Sequence, residues 1–381
     1  MPLISADSSF MLWAIMLLAA AAAFRLEKKG LGQKLSGPII AILVGAVLAN
    51  FNVVPRSAEP YGTIWSYGIP TAIVLLLFGA NMRKIFAESG RTLVAFFFGA
   101  LGTTLGALIG AYLLPLGPSE PSLAAVFSAT YIGGSLNFAA VSEAIGFQDS
   151  SLLTASLAAD NVVGVSFLAV LIALPSSAFI ARQFKYKKPD TEEAAAISID
   201  IHAADGPSKS FSPERAAIAL GLSFLVVALS NLIAGMLGYD ESRLLIATVL
   251  IVLIASLFHQ KMEQLTEAFP LGMIVMYMFF FLIGAGVDIK TMVESGLMLA
   301  AFAVIILATH LLVLLVLSRI FKLDLPEVLV GSNACVLGPP VAAAMAGANG
   351  WRDLITPAIL CGTLGYTIAN FIGLGLYSFL S

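Results

Sequence analysis

Glu88-Ser89-Gly90-Arg91-Thr92-Leu93-Val94-Ala95-Phe96 returns in the same chain as Glu294-Ser295-Gly296-Leu297-Met298-Leu299-Ala300-Ala301-Phe302, with six identities in nine positions at an offset of 206. The register extends outward from this match. Ser36 and Ala41 pair with Ser242 and Ala247 at the same offset, and Gly79-Ala80 with Gly284-Ala285 at 205. Gly134, Ala139, Ala140, Ala144, Gly146 and Asp149 pair with Gly338, Ala343, Ala344, Ala348, Gly350 and Asp353 at 204. The chain is therefore written twice. In an apolar protein, a two-fold internal repeat is the mark of a secondary transporter whose substrate site lies between the halves.

The composition fits that reading. Of the 381 residues 59% are hydrophobic and 11% charged, and the mean hydropathy is +0.96. A soluble domain carries about 25% charged residues, so this chain lacks the polar surface a soluble fold requires. The fold class expected is an all-α polytopic membrane protein. The net charge of −3 gives no reason to expect a nucleic-acid partner. Cys335 and Cys361 both fall in apolar segments and read as small packing residues.

Twelve apolar stretches, six per half, are separated by a polar segment at 182–215 that reads as a linker. Residues 1–181 form the first membrane repeat and 216–381 the second. The stretch at 10–24 lacks a basic lead-in and is read as a membrane helix rather than a signal peptide. Charge decides how many stretches cross. If all twelve did, the 20 Lys and Arg would divide ten and ten between the two sides. If 122–147 and 326–349 instead dip in and return, seventeen lie inside and Arg56, Arg243 and Lys290 outside. The second count obeys the positive-inside rule. Each half then has five crossings and one re-entrant segment, an odd number, which inverts the second half relative to the first. The linker is cytoplasmic, both termini lie outside, and the membrane is a bacterial inner membrane.

The two returning stretches contain Thr130-Tyr131-Ile132-Gly133-Gly134-Ser135-Leu136-Asn137 and Ser332-Asn333-Ala334-Cys335-Val336-Leu337-Gly338-Pro339-Pro340. Paired glycines and paired prolines break a helix, and the freed backbone groups are tolerated at membrane depth only against protein, water or ligand. A half-helix N-terminus favours an anion and freed carbonyls a cation. Asp160 is the sharpest single residue. A carboxylate in mid-segment is a functional-site candidate by default, and Ser156, Asp160 and Gly164 share one helical face with Asn161 beside it. The alternative for Asp160 is a buried carboxylate hydrogen-bonded to freed backbone.

The first broken segment, followed by a helix bearing Asp160-Asn161, resembles the core of the cation:proton antiporter and anion transporter superfamily. The full chain resembles domain-of-unknown-function family 819, placed in that superfamily. The resemblance implies that Asp160 and Asn161 carry sodium or protons. Relatives use either crossed broken helices or re-entrant hairpins, and the charge count favours hairpins.

The ion-coupling set is Asp160, Asn161, Ser135, Asn137, Gly133 and Gly134, with a sodium at Asp160 the only metal considered. The substrate set is Thr130, Asn333, Gly338, Pro339, Pro340, Thr363, Tyr366 and Asn370. Glu143 is placed at a wet rim, and His310 is read as a packed or hydrogen-bonded residue. No catalytic motif is present, so an enzyme is not expected, and no cofactor is implied beyond the coupling ion. The function expected is alternating-access symport of a small organic anion or zwitterion with sodium or protons. The alternatives are a cation:proton antiporter and, outside transport, a membrane-embedded enzyme or signalling scaffold. The partners are the lipid bilayer, a small-molecule solute and, if the protein oligomerises, a second copy in a homodimer.

Overall fold

The computed structural model describes residues 2–27, 37–177, 180, 182–184, 211–238, 243–286 and 289–381. Most of the expected linker, 185–210, lies outside them. The described chain is helical throughout. Its first half comprises α1 (Ser9–Leu26), α2 (Gly37–Asn50) and α3 (Glu59–Thr63), which passes through a π-helical turn at Ile64–Gly68 into α4 (Ile69–Leu76). It continues with α5 (Met82–Glu88), α6 (Gly90–Leu113), α7 (Glu120–Gly133), α8 (Ser135–Ala144) and α9 (Ser150–Ala173). The second half comprises α10 (Pro213–Leu237), α11 (Arg243–Leu257), α12 (His259–Met262), α13 (Ala268–Ala285) and α14 (Ile289–Ile320). It closes with α15 (Leu325–Val336), α16 (Pro339–Ala348) and α17 (Ile355–Leu380).

Among the described residues, seven helices are long and apolar enough to cross a membrane: α1, α6, α9, α10, α13, residues 296–320 of α14, and α17. The charge count anticipates ten crossings, so three of those fall on shorter elements. Helices α2 and α11 have 14 and 15 described residues, and 14 residues rise about 21 Å, short of a 30 Å hydrocarbon core. The third is the composite of α3 and α4, interrupted by its π turn.

The centre of the bundle is the crossing of α6 and α14. Lipid supplies no hydrophobic drive for two apolar helices to associate, so close packing must hold them, and small residues permit it. Gly102, Gly106 and Gly110 are spaced as a doubled small-xxx-small motif on one face of α6, with Gly99 one turn earlier. A Cβ at Gly102 or Gly106 would lie 2.7 Å from the Cα of His310 or Ile306, and one at Gly110 would meet the Phe302 ring at 2.6 Å. Backbone therefore touches backbone. His310 is fully buried here, its two ring nitrogens each 2.9 Å from a hydroxyl, Thr103 on α6 and Ser332 on α15. It ties three helices together, in keeping with a packed, hydrogen-bonded role.

The loops sort into two ends. At one end Arg91 pairs with Asp324 at 3.8 Å and Glu327 at 3.4 Å and donates to the Lys322 carbonyl, while Arg319 bonds Gln183 and Ser256 bonds the backbone of Met82. At the other, Arg243 pairs with Glu143, and the backbone of Leu3 and Ile4 bonds that of Asn52 and Val53. Each contact joins loops that the charge count assigns to one side.

Arg215 and Glu267 fix α10 to the start of α13. Glu267 accepts from the Arg215 guanidinium at 2.6 Å and from the Ser212 amide at 2.9 Å, and chiefly the Arg215 bond holds its carboxyl down at about 2. A depressed folded value means that the pair's stabilisation is present above the unfolded glutamate value and is lost as pH falls toward 2. Glu267→Gln is expected to flatten the low-pH limb of a thermal-unfolding profile while leaving its slope above pH 6 unchanged. Gly106→Leu, which drives a side chain into α14 backbone, is expected to destabilise by at least the 1–3 kcal/mol typical of overpacking. Gly221→Leu, where a Cβ meets nothing within 4 Å, is expected to unfold within a degree or two of the wild type.

Candidate functional site

Both broken segments fold back on themselves. Helix α7 ends at Gly134, which has φ +78° and ψ 175°, and α15 gives way at Gly338, with φ +85° and ψ −179°. This extended conformation at positive φ is essentially restricted to glycine, and both copies of the repeat use it at the same position. The returning arms confirm the hairpins. Gly373 of α17 packs against Ala125 and Ala129 of α7 and also against Val141 of α8, so the two arms lie side by side. In the second pair the Asn333 amide reaches back to Met345 Sδ at 3.2 Å. Pro339 and Pro340 open α16, where the absent N–H groups have no helical partner to lose. Among the described residues, then, the two segments are hairpins rather than crossed helices.

The tips converge on Tyr366 of α17. A Cβ at Gly134 would lie 3.8 Å from the Tyr366 ring, and one at Gly338 3.6 Å from its hydroxyl. Asn137, in the first turn after the break, donates through Nδ2 to the Tyr366 carbonyl and to Asn370 Oδ1, both at 2.9 Å. Gly133 and Gly365 let the hairpin and α17 approach to backbone contact. The hairpins also touch each other, since Cys335 Sγ donates to the Tyr131 carbonyl at 3.2 Å. Beside this junction is a cavity of about 20 Å³ lined by Leu77, Leu136, Asn137, Tyr366 and Asn370 among others, room for about one water.

Asp160 stands on the other flank of the first hairpin. It is half-buried on α9, and one turn later Gly164 packs against Leu337 beside the second tip. The fully buried Tyr131 phenol comes within interaction distance of the carboxylate without closing a hydrogen bond of ordinary geometry. The Ser156 hydroxyl, one turn before Asp160, is buried without a partner among the described residues. A carboxylate thus faces neutral oxygens whose bonding capacity is unused, between a helix and two glycine tips.

Residues 14–381 match the family described as protein of unknown function, DUF819. The chain belongs to that family. It is also 35% identical over 386 aligned positions to the uncharacterized membrane protein YjcL of Bacillus subtilis (strain 168), covering 97% of this chain and 96% of that one.

In this DUF819 protein the structure gathers Gly133, Gly134, Asn137, Gly338, Tyr366 and Asn370 at one junction and sets Asp160 and Asn161 beside it. Ser135 is half-buried at the first tip, and Pro339 lies against Gly362. The others stand apart from the cavity. Thr130 is buried, and Asn333 is enclosed between the arms of the second hairpin; the Thr130 hydroxyl and Asn333 Oδ1 have no partner among the described residues. Thr363 donates to the Ile359 carbonyl of its own helix, and Pro340 is exposed. Sequence reasoning gave no role to Tyr131. Its signal was there: a tyrosine inside a broken apolar segment needs a partner for its hydroxyl.

Asn137→Ala removes two hydrogen bonds and strands the Asn370 amide in a buried site. Destabilisation of about 1–3 kcal/mol is expected, with non-additivity against Asn370→Ala in a double-mutant cycle of thermal unfolding.

Proposed function

We propose that this protein is an ion-coupled secondary transporter of a small organic anion or zwitterion. The observation that carries the reading is the convergence of two glycine-tipped hairpins, at matched positions of a doubled sequence, on a junction flanked by an unpaired carboxylate. Freed backbone at a hairpin tip can exchange its partners for those of a solute. A half-buried carboxylate amid neutral oxygens can bind a proton or sodium and so offset the cost of its partial desolvation. Coupling follows when the ion at Asp160 changes how well the hairpin docks on its neighbours.

In this reading the two halves are inverted repeats, with the hairpins entering from opposite sides of a bacterial inner membrane. The termini lie outside, the 182–215 linker is cytoplasmic, and the chain belongs to the cation:proton antiporter and anion transporter superfamily rather than to any enzyme class. Asp160 holds the coupling ion, sodium first and a proton second, with Asn161, Ser156 and Tyr131 supplying neutral contacts. Gly133, Gly134, Asn137, Gly338, Tyr366 and Asn370 form the moving junction where the solute is held.

Proteoliposomes test this. An inward sodium gradient is expected to drive solute accumulation in the wild type and none in Asp160→Ala, while Asp160→Glu keeps a reduced rate. Sodium-driven proton flux without solute would instead identify a cation:proton antiporter, and absence of any gradient-driven flux would sink both readings.

A further inference from the structure

A wide cleft lies away from the hairpin junction, where the first hairpin meets α11 and the end of α17. It has a volume of about 630 Å³ and is lined by Glu143, Ile145, Arg243, Leu245, Tyr377 and Ser378 among others, within the range of small-molecule sites. At its wall Arg243 meets Glu143 at 3.3 Å. The two partners are unequally placed. The Glu143 side chain is 6% exposed and that of Arg243 51%.

Neither group is fully used. Arg243 reaches Glu143 Oε1 through one terminal nitrogen, and a guanidinium has five N–H donors in a planar fork suited to a carboxylate. Glu143 Oε2 is buried without a hydrogen-bond partner among the described residues. A buried carboxylate oxygen without a donor is costly, so a donor carried by a bound molecule would gain most at this oxygen. The cleft thus offers a half-open cation and, beside it, an acceptor lacking its donor. Leu244, Leu245, Leu374 and Ile145 supply apolar walls, and Tyr377 and Ser378 hydroxyl-bearing side chains.

We propose that this cleft is an admission site for a small zwitterion, whose carboxylate engages Arg243 and whose ammonium engages Glu143. The proposal rests on the transport reading for its purpose and narrows the solute class. A simple anion would gain Arg243 but face the Glu143 charge, and a simple cation the reverse. A molecule carrying both charges a few ångströms apart satisfies both without separating the ion pair.

Equilibrium binding to the purified full chain, without any gradient, tests this. The probes are L-leucine, its methyl ester, which is only a cation, and N-acetyl-L-leucine, which is only an anion. Saturable L-leucine binding at least tenfold tighter than that of either derivative is expected. Glu143→Gln should abolish the preference over N-acetyl-L-leucine, and Arg243→Gln the preference over the ester. If a single variant fails to fold, the exchange Glu143→Arg with Arg243→Glu keeps an ion pair and is expected to bind L-leucine within tenfold of the wild type. Equal binding of all three probes, no saturable binding, or variants indistinguishable from the wild type would overturn the proposal. The same titration on Asp160→Asn separates the two readings. Intact L-leucine binding there, with no coupled flux even in the wild type, would remove the transport reading and leave the site standing.

Discussion

The packing around both hairpins depends on how closely α6 can approach α14. The pair crosses through the middle of the bundle, and α7, α9, α15 and α17 all pack on one or both of its members. Four glycines on α6 set the spacing. Fill that groove and His310 can no longer reach both Thr103 and Ser332, so α15 loses its tie to the centre and the second hairpin its base. In a solvent as apolar as the side chains, loss of a few close atomic contacts is not compensated by burial elsewhere.

The hairpins are a second-order consequence of the same economy. A through-going helix satisfies its own backbone, whereas a break exposes groups that must find partners. Here the partners come from neighbouring helices: the Tyr131 carbonyl accepts from Thr103 and Cys335, and the Tyr366 carbonyl from Asn137. Such bonds are between elements rather than within one, and each can be exchanged without unfolding a helix. The site is therefore built from the least self-sufficient backbone in the protein.

Much of this was legible in residue order. Gly133-Gly134 and Gly338-Pro339-Pro340 mark the hairpin tips because glycine and proline act locally, on φ and on the amide hydrogen, without reference to the rest of the fold. Arg91 meets Lys322 and Arg243 meets Glu143, pairings consistent with the sides expected from the cost of carrying charge across lipid. What the sequence withheld was distance. Thr363 and Asn370 look alike along α17, yet one bonds its own helix and the other meets Asn137. Apolar length also does not reveal a π turn such as Ile64–Gly68, which divides one of the expected crossings into shorter helices. Arg243 and Glu143, a hundred residues apart, were beyond any local pattern.

The α6 groove has a further implication for the doubled sequence. At the offset of 206, Gly99, Gly102, Gly106 and Gly110 correspond to Ile305, Ala308, Leu312 and Val316, so the copy that meets this groove has not kept the glycines. Two identical chains meeting across a two-fold axis must carry both the groove and the ridge that fills it on one and the same surface. Joining the copies in one polypeptide removes that requirement. One helix becomes the socket and the other the plug, and neither can be copied back onto its counterpart without opening a gap or forcing a clash.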